Sequence, residues 1–160
     1  MRDLHDPDLP ATVAELLDFW HVPPARLLVE ITENGLMAEP ARALQTLTGL
    51  RAMGIRIAID DFGTGYSSLA YLKRLPVDEL KIDRSFVREL AEDQDDLAIV
   101  RSTISLGHDL GLSIVAEGIE DVATWDLLRE LGCDIGQGYY LGRPVSADEL
   151  LERFALASAA

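Results

Sequence analysis

Short apolar runs alternate with longer amphipathic stretches along the chain. Apolar residues recur at three- and four-residue spacing in five stretches, which predicts helices over residues 8–20, 38–53, 94–110, 121–132 and 146–157. Five short apolar runs predict strands over residues 27–31, 55–59, 79–82, 112–116 and 134–136, the last only weakly apolar. Three helices are followed directly by a glycine suited to a left-handed cap, at Gly54, Gly111 and Gly132. A shorter helix is predicted to begin near Ser67 or Ser68.

Helix and strand therefore alternate, which predicts an α/β fold with a parallel sheet and its helices outside. About five βα units are expected, arranged as in a TIM-like (β/α) barrel but fewer than the eight that close one. The 160 residues are interpreted as one domain without internal linkers, and residues 154–160 as a frayed, alanine-rich tail.

Each predicted strand finishes on a polar residue that is capable of chemistry. These residues are Glu30, the adjacent Asp60 and Asp61, Lys81, Glu117 and Gln137. In a (β/α) barrel the carboxyl ends of the strands meet on one face, where active sites lie. The sequence therefore predicts a site made of carboxylates, one lysine and one amide.

Asp60 and Asp61 follow an apolar run and precede a glycine-bearing turn. Two adjacent carboxylates repel each other unless a positive charge lies between them. Oxygen ligands without histidine or cysteine suit Mg²⁺ or Mn²⁺, and two such ions favour hydrolysis of a phosphoryl ester. A solvated Asp- and Gly-rich turn remains the alternative, as does a salt bridge from Lys81 to Asp60 or Glu117.

The loop over residues 62–66 has the wrong spacing for a nucleotide-phosphate loop and is interpreted as a lid or dimer contact. Glu33 lies three residues after Glu30, and Glu120 lies three after Glu117. Either side chain could anchor the loop by accepting backbone N–H bonds. Either could instead be a carboxylate favoured at the start of a helix.

The formal net charge is −14, with 28 acidic and 14 basic residues. Such a chain should repel long nucleic acid, although metal ions can still allow a small phosphorylated ligand to bind. No apolar run approaches the about 20 residues that span a membrane. The single cysteine, Cys133, is expected to pack as a small hydrophobe, and a cytoplasmic location is expected.

Several motifs resemble those of the EAL family of cyclic di-GMP phosphodiesterases. They are Glu30-Ile31-Thr32-Glu33, the run from Asp60-Asp61-Phe62-Gly63 to Ser68-Leu69, Leu80-Lys81-Ile82-Asp83, Ala116-Glu117-Gly118-Ile119-Glu120, Gln137-Gly138-Tyr139 and Arg143-Pro144. The resemblance covers nearly the whole chain. It implies a TIM-like barrel that binds Mg²⁺ or Mn²⁺ and cleaves cyclic di-GMP to linear pGpG.

The same resemblance implies a role for each matching residue. Metal ligands are expected at Glu30, Asp60, Asp61 and Glu117, with Glu117 alternatively a general base. Lys81 and Gln137 are expected beside the attacking water, and Asp83, Gln137, Gly138 and Pro144 beside the substrate. A loop that couples dimerisation to metal binding is implied for Glu33, Phe62, Gly63, Thr64, Gly65, Ser67 and Glu120.

The chain lacks two motifs that the family carries in front of these, the Glu-Ala-Leu signature and the asparagine of a Val-Asn-x-Ser segment. Both supply metal ligands in the family, so residues 1–160 are interpreted as a partial EAL domain with impaired hydrolysis. The open sheet is expected to form a homo-oligomer or to bind a partner over its edges. The alternative is an inactive module that binds cyclic di-GMP or another protein.

Overall fold

Residues 3–65 and 69–157 are described by the computed structural model. The strands are β1 (Leu28–Thr32), β2 (Arg56–Phe62), β3 (Glu79–Ile82), β4 (Ser113–Glu117) and β5 (Ile135–Gln137). The helices are α1 (Leu9–Phe19), α2 (Glu33–Ala38), α3 (Pro40–Ala52), α4 (Leu69–Leu72), α5 (Arg84–Val87), α6 (Gln94–Asp109), α7 (Val122–Glu130) and α8 (Ala147–Ala157). Two 3-10 turns, Asp3–His5 and Pro24–Arg26, flank α1.

The five strands form one parallel sheet in the order in which they occur along the chain. Each strand pairs with the next, and at least one helix lies between them in sequence. This is the consecutive βα winding of a (β/α) barrel. The predicted α/β class and parallel sheet are confirmed.

The hydrophobic core lies between the sheet and the long helices. Leu47 and Leu50 of α3 are fully buried, as are Ile57 of β2, Leu80 of β3 and Ile114 of β4. Successive side chains of a strand point to opposite faces of a sheet, so these strand residues share one face. That face packs against the helices, and the other, inner face carries most of the polar strand residues together with the apolar Ala58 and Val115.

Backbone caps end the helices where the sequence predicts them. Gly54, Gly111 and Gly132 have φ angles of 87°, 75° and 85°, a conformation that glycine adopts without a steric cost. The helix starts are also fixed by side chains. Asp93 and Asp121 accept N–H bonds at the first turns of α6 and α7.

Two carboxylates each connect the start of a strand to a helix. Asp134 accepts the Ile114 amide at 2.7 Å and contacts His108 Nε2 at 2.9 Å, which ties β4 to α6. Asp78 contacts β2 and α3 in the same way, through an amide at 3.0 Å and an arginine at 2.6 Å. These contacts fix the starts of the two strands that carry Asp60 and Glu117.

The bounds of the elements that lead to the site differ from the predictions. Strand β2 runs to Phe62, so Asp60 and Asp61 lie inside it, and Glu30 is the middle residue of β1 rather than its last. Helix α2 begins directly after β1 and is separate from α3, because Glu39 adopts a non-helical conformation before Pro40. Helix α8 ends at Ala157, and fraying of residues 154–160 stays a prediction.

No helix among the described residues is both long enough and apolar enough to cross a membrane. Cys133 is half-buried and packs against the core, as expected. Burial raises the pKa of its thiol, so the sulfur is held in its neutral form.

Candidate functional site

One lysine joins the carboxylates of three other strands on the inner face of the sheet. Lys81 Nζ of β3 lies 2.9 Å from Glu30 Oε1, 3.1 Å from Asp60 Oδ1 and 2.6 Å from Glu117 Oε1. Glu30 belongs to β1, two strands away from β3. Its neighbour in register on the intervening strand is Ala58, whose methyl side chain leaves room for the lysine to reach across.

The surroundings of Lys81 favour its protonated form. Its side chain is only 6% exposed, whereas those of Glu30, Asp60 and Glu117 are 45%, 23% and 20% exposed. Burial disfavours the ammonium, but the contacts with Glu117, Glu30 and Asp60 outweigh it and keep the pKa of Lys81 well above its usual range. The lysine is therefore a fixed cation. The salt-bridge alternative raised from the sequence is present, and it involves three carboxylates.

A β-bulge brings the two adjacent aspartates to the site. Ile59 pairs with Leu80 and Phe62 with Ile82, so β2 has one more residue than β3 between these two pairs. Asp61 takes up the extra residue with a φ of 55°, a left-handed conformation that aspartate tolerates better than most residues. Regular alternation would place the Asp61 side chain on the face opposite Asp60, and the bulge changes its direction.

Negative charge is concentrated around Asp61. Partial burial raises the pKa of its carboxyl group, and the charges of Asp60 and Asp83 raise it further, while Lys81 lowers it. Asp83 is itself held ionised, because burial is outweighed by hydrogen bonds from Ser85 that lower its pKa. A cation placed beside Asp60 and Asp61 would relieve this repulsion.

The same residues fit a divalent cation by the chemistry of their oxygens. Asp60 Oδ1 is buried, and the ammonium of Lys81 lies 3.1 Å from it. A buried carboxylate oxygen that faces a cation is also suited to a metal ion. Among residues 3–65 and 69–157, however, no three His, Cys, Asp or Glu side chains are already arranged as a metal cluster. Metal binding would thus need the side chains of Glu30, Asp60 and Glu117 to turn from Lys81.

Glu33 lies beneath the loop that follows β2. It is 1% exposed, and its Oε2 accepts the amide of Gly63 at 3.2 Å. Glu33 is also the first residue of α2, so both interpretations made from the sequence apply to it. Its Oε1 accepts no hydrogen bond from the described residues. The loop is therefore anchored to β1 and α2 by a buried carboxylate.

The remaining loop residues lie near this anchor. Phe62 is buried, Gly63 and Thr64 are exposed, and Gly65 is half-buried. The Thr64 hydroxyl donates to the backbone oxygen of Asp61 at 2.8 Å. Ser67 and the helix start expected near Ser67 or Ser68 lie outside the described residues.

Gln137 ends β5 in register with Glu117, and Gly138 follows it directly. The structure assigns Gly138 a packing role. A Cβ there would lie 2.1 Å from the backbone oxygen of Ile119 and 2.3 Å from its nitrogen. The Ile119 N–H donates to the backbone oxygen of Gln137, and the Tyr140 N–H donates to the backbone oxygen of Ile119. Only glycine allows these two chain segments to approach so closely.

Three predicted residues lie apart from Lys81. Glu120 is exposed and pairs with Arg88 at 3.8 Å rather than with the loop after β2. Asp83 caps α5, and Pro144 is exposed beyond β5. A contact of Asp83 or Pro144 with a substrate stays a prediction.

Sequence reasoning missed residues that line a cavity of about 220 Å³ next to Glu117. Arg84 and Tyr139 complete its wall with Glu117, Glu120 and residues 137–138. Arg84 adjoins the predicted Asp83, and Tyr139 belongs to a quoted motif, but neither was assigned a role. A larger cavity, about 420 Å³, lies between α1 and the start of β1, at the opposite end of the strands from the carboxylates.

The EAL domain family model matches residues 1–144. The bifunctional diguanylate cyclase/cyclic di-GMP phosphodiesterase MucR of Pseudomonas aeruginosa is 54% identical over 132 residues, which cover 82% of this chain and 19% of MucR. The cyclic di-GMP phosphodiesterase RocR of the same organism is 41% identical over 144 residues, covering 90% of this chain and 37% of RocR. The chain thus spans about a fifth to two fifths of the length of these relatives.

Solved structures agree with this relationship. The MucR phosphodiesterase in complex with c-di-GMP superposes with a TM-score of 0.89 at 48% identity, over 93% of this chain and 60% of that chain. The manganese and cyclic di-GMP complex of Klebsiella pneumoniae BlrP1 gives a TM-score of 0.78 at 35% identity, over 84% of this chain and 34% of that chain. These neighbours confirm the TIM-barrel-like class of the fold. The chain belongs to the EAL domain family.

Proposed function

We propose that this chain is the carboxylate-bearing part of an EAL phosphodiesterase that hydrolyses cyclic di-GMP to linear pGpG. The observation that carries the proposal is the convergence of Glu30, Asp60 and Glu117 on Lys81, beside the bulged Asp61. Such a group concentrates negative charge and one fixed cation at the carboxyl ends of parallel strands. The relatives MucR and RocR are named as cyclic di-GMP phosphodiesterases.

Hydrolysis requires attack of water on one phosphorus of the cyclic dinucleotide. A new P–O bond forms from the water oxygen, and the bond from phosphorus to the 3′ oxygen breaks. Glu117 accepts the proton of the water, and the departing 3′ oxygen takes up a proton to become a hydroxyl. Lys81 Nζ contacts Glu117 at 2.6 Å, so it can orient that carboxylate and the water beside it. The product carries the phosphate on its 5′ end.

The cofactor is proposed to be Mg²⁺ or Mn²⁺, held by Glu30, Asp60 and Asp61, which leaves Glu117 to act as the base. The all-oxygen set and the buried Oδ1 of Asp60, which already faces a cation, support this choice. A divalent ion there would supply Lewis-acid polarisation of the phosphate and acidify the attacking water. Structures of BlrP1 have been solved with manganese and with calcium in the presence of cyclic di-GMP.

A second function is binding without turnover. It is favoured by the ion pairs of Lys81, since an ammonium that already neutralises three carboxylates competes with a metal ion for them. Both functions share the ligand cyclic di-GMP, so only a turnover measurement separates them.

The decisive experiment incubates the purified chain with cyclic di-GMP and Mn²⁺ and separates the products by chromatography. Formation of pGpG that Asp60→Ala abolishes supports the enzyme. Binding of cyclic di-GMP by calorimetry without pGpG supports the binding module. If the chain neither binds cyclic di-GMP nor forms pGpG, both proposals are contradicted. Lys73→Ala, which changes an exposed lysine, serves as the matched control.

We also propose a cytoplasmic location and association of the open sheet. β1 and β5 each pair with only one strand of the described sheet, and Ile135 at the edge is 44% exposed. Unpaired strand edges favour pairing with another chain. Light scattering should show a dimer or larger species at micromolar concentration, and a strict monomer would contradict the association.

A further inference from the structure

A cavity of about 260 Å³ lies between the 3-10 turn Asp3–His5 and the first two turns of α3. Its lining is mostly polar and consists of His5, Pro7, Arg42, Gln45 and Thr46. None of these residues belongs to the carboxylate group around Lys81, and the proposed reaction uses none of them. Pockets that hold a whole small ligand begin at about 300 Å³. The cavity is therefore large enough for a small anion with a short substituent.

Thr46 is a buried polar residue of this lining. Its side chain belongs to a residue that is 3% exposed, and its hydroxyl makes no hydrogen bond with the described residues. Thr48 on the same helix differs, because its hydroxyl donates to the backbone oxygen of Leu44 at 2.7 Å. A buried hydroxyl without a partner costs free energy. The hydroxyl of Thr46 is thus available to a polar atom placed in the cavity.

His5 adds a second unpaired polar atom to the same lining. Its Nδ1 is buried and has no hydrogen-bond partner among the described residues. Each ring nitrogen of a histidine donates or accepts according to the tautomer, so the ring can adapt to a ligand. Buried polar groups are nearly always hydrogen-bonded, and two unpaired ones at a single cavity indicate a binding site rather than a gap in packing.

Arg42 supplies positive charge at the exposed side of the cavity. Its contact with Glu39 at 3.2 Å joins two exposed side chains, and such a pair contributes little to stability. The guanidinium carries several N–H donors in a planar fork, so it can bind an anion in addition to Glu39. The start of α3, a helix of 13 residues, adds positive potential from its backbone.

The chemistry of the lining favours a phosphate. No acidic side chain is among the described residues that line the cavity, although the chain has a net charge of −14. A guanidinium, a hydroxyl, an imidazole and the amide of Gln45 approach the cavity from different directions. A tetrahedral phosphate offers acceptor oxygens in several directions, whereas the oxygens of a carboxylate lie in one plane.

We propose that this cavity binds a phosphate group, carried by a small phosphomonoester or present as inorganic phosphate. Arg42 contacts the phosphate from the exposed side, and the hydroxyl of Thr46 and the ring of His5 hold it from the buried side. The site shares no residue with the proposed reaction site. The two proposals are therefore independent, and the failure of one leaves the other standing.

The test is a titration of the purified chain with sodium phosphate in EDTA, at constant pH and ionic strength, followed by NMR of the histidine rings. The chain has three histidines, and of these His5 lines the cavity. Its ring resonances should shift and reach saturation with a Kd of about 1 mM. Those of His21 and His108 should stay in place.

Two variants test the residues that hold the phosphate. Arg42→Gln should raise Kd about 10-fold, because it removes a charge-assisted hydrogen bond. Thr46→Val keeps the shape of the side chain and should raise Kd about 5-fold. Thr48→Val on the same helix and Arg101→Gln at an exposed position of α6 should leave Kd unchanged. Unchanged ring resonances of His21 and His108 show that each variant is folded.

Glycerol phosphate and acetate identify the class of ligand. Tighter binding of glycerol phosphate than of inorganic phosphate supports a phosphomonoester, and the reverse order supports the free ion. Acetate that shifts the His5 resonances as strongly as phosphate would overturn the choice of phosphate. Absence of a saturable shift at His5, or a Kd that neither Arg42→Gln nor Thr46→Val changes, would overturn the site.

Discussion

Replacement of Lys81 by methionine tests the electrostatic centre of the site. The side chain is 6% exposed and contacts three carboxylates at 2.9, 3.1 and 2.6 Å. Each contact is worth about 5 kcal/mol before desolvation, at an effective dielectric constant of about 20. Breaking a buried ion pair costs about 3–5 kcal/mol, and the partial exposure of the carboxylates lets water recover part of that. We expect Lys81→Met to lower the free energy of unfolding by about 2–4 kcal/mol at neutral pH.

For a chain of this size the loss corresponds to a fall in Tm of about 5–15 °C, measurable by circular dichroism. The folded state raises the pKa of Lys81, so its contribution is present below the ordinary lysine pKa of about 10.4 and is lost only as the pH rises through the folded value.

A divalent ion should replace the lost ammonium. Mn²⁺ at millimolar concentration should therefore raise the Tm of Lys81→Met more than that of the unmodified chain. Lys73→Met, at an exposed position, should change neither the Tm nor its response to Mn²⁺. A Lys81→Met chain as stable as the unmodified one at neutral pH, or one whose Tm does not respond to Mn²⁺, would refute the proposed balance of charges.

Two further predictions concern parts of the fold that position the site. Gly138→Ala would place a Cβ within 2.3 Å of the Ile119 backbone, and should cost about 1–3 kcal/mol in chemical denaturation. At Gly54 a Cβ meets nothing within 4 Å, so Gly54→Ala should cost only about 1–2 kcal/mol for its left-handed backbone. A larger loss of stability from Gly54→Ala than from Gly138→Ala would contradict the packing role of Gly138. Asp134→Ala should lower Tm at neutral pH, because the amide of β4 and His108 outweigh burial and depress the pKa of Asp134 in the folded state. That stabilisation is present above the ordinary aspartate pKa of about 3.9 and is lost as the pH falls through the lowered value, so a difference in Tm that persists unchanged at pH about 2 would argue against it.

The arrangement of the strands could be predicted from hydrophobic pattern alone. The glycines at positions 54, 111 and 132 mark where three helices end, and the apolar runs after them become β2, β4 and the approach to β5. The polar residues at the ends of these runs do meet on one face. The reason is geometric, since parallel strands end at the same edge of a sheet.

Other features depend on contacts that no local pattern contains. The bulge in β2 depends on pairing with β3, which has one residue fewer between the paired positions. The only local sign of the bulge in the sequence is the pair Asp60-Asp61. Helix α2 has six residues, too few to show a helical period. The reach of Lys81 to Glu30 depends on a methyl side chain at Ala58, on the strand between them.

The cavity residues Arg84 and Tyr139 were missed for a different reason. They lie 55 residues apart in the sequence, and only the packing of α5 against Gly118 and of the segment after β5 against Ile119 brings them together. Each is unremarkable alone, one as an exposed arginine and one as an exposed tyrosine.

The most direct test of the central claim is hydrolysis of cyclic di-GMP in ¹⁸O-labelled water with Mn²⁺, followed by mass spectrometry. Attack of water on phosphorus predicts linear pGpG with one ¹⁸O in its 5′ phosphate, formed by the unmodified chain and not by Asp60→Asn. Unreacted cyclic di-GMP with the unmodified chain, or equal product with Asp60→Asn, would contradict the assignment of this carboxylate group as the reaction site.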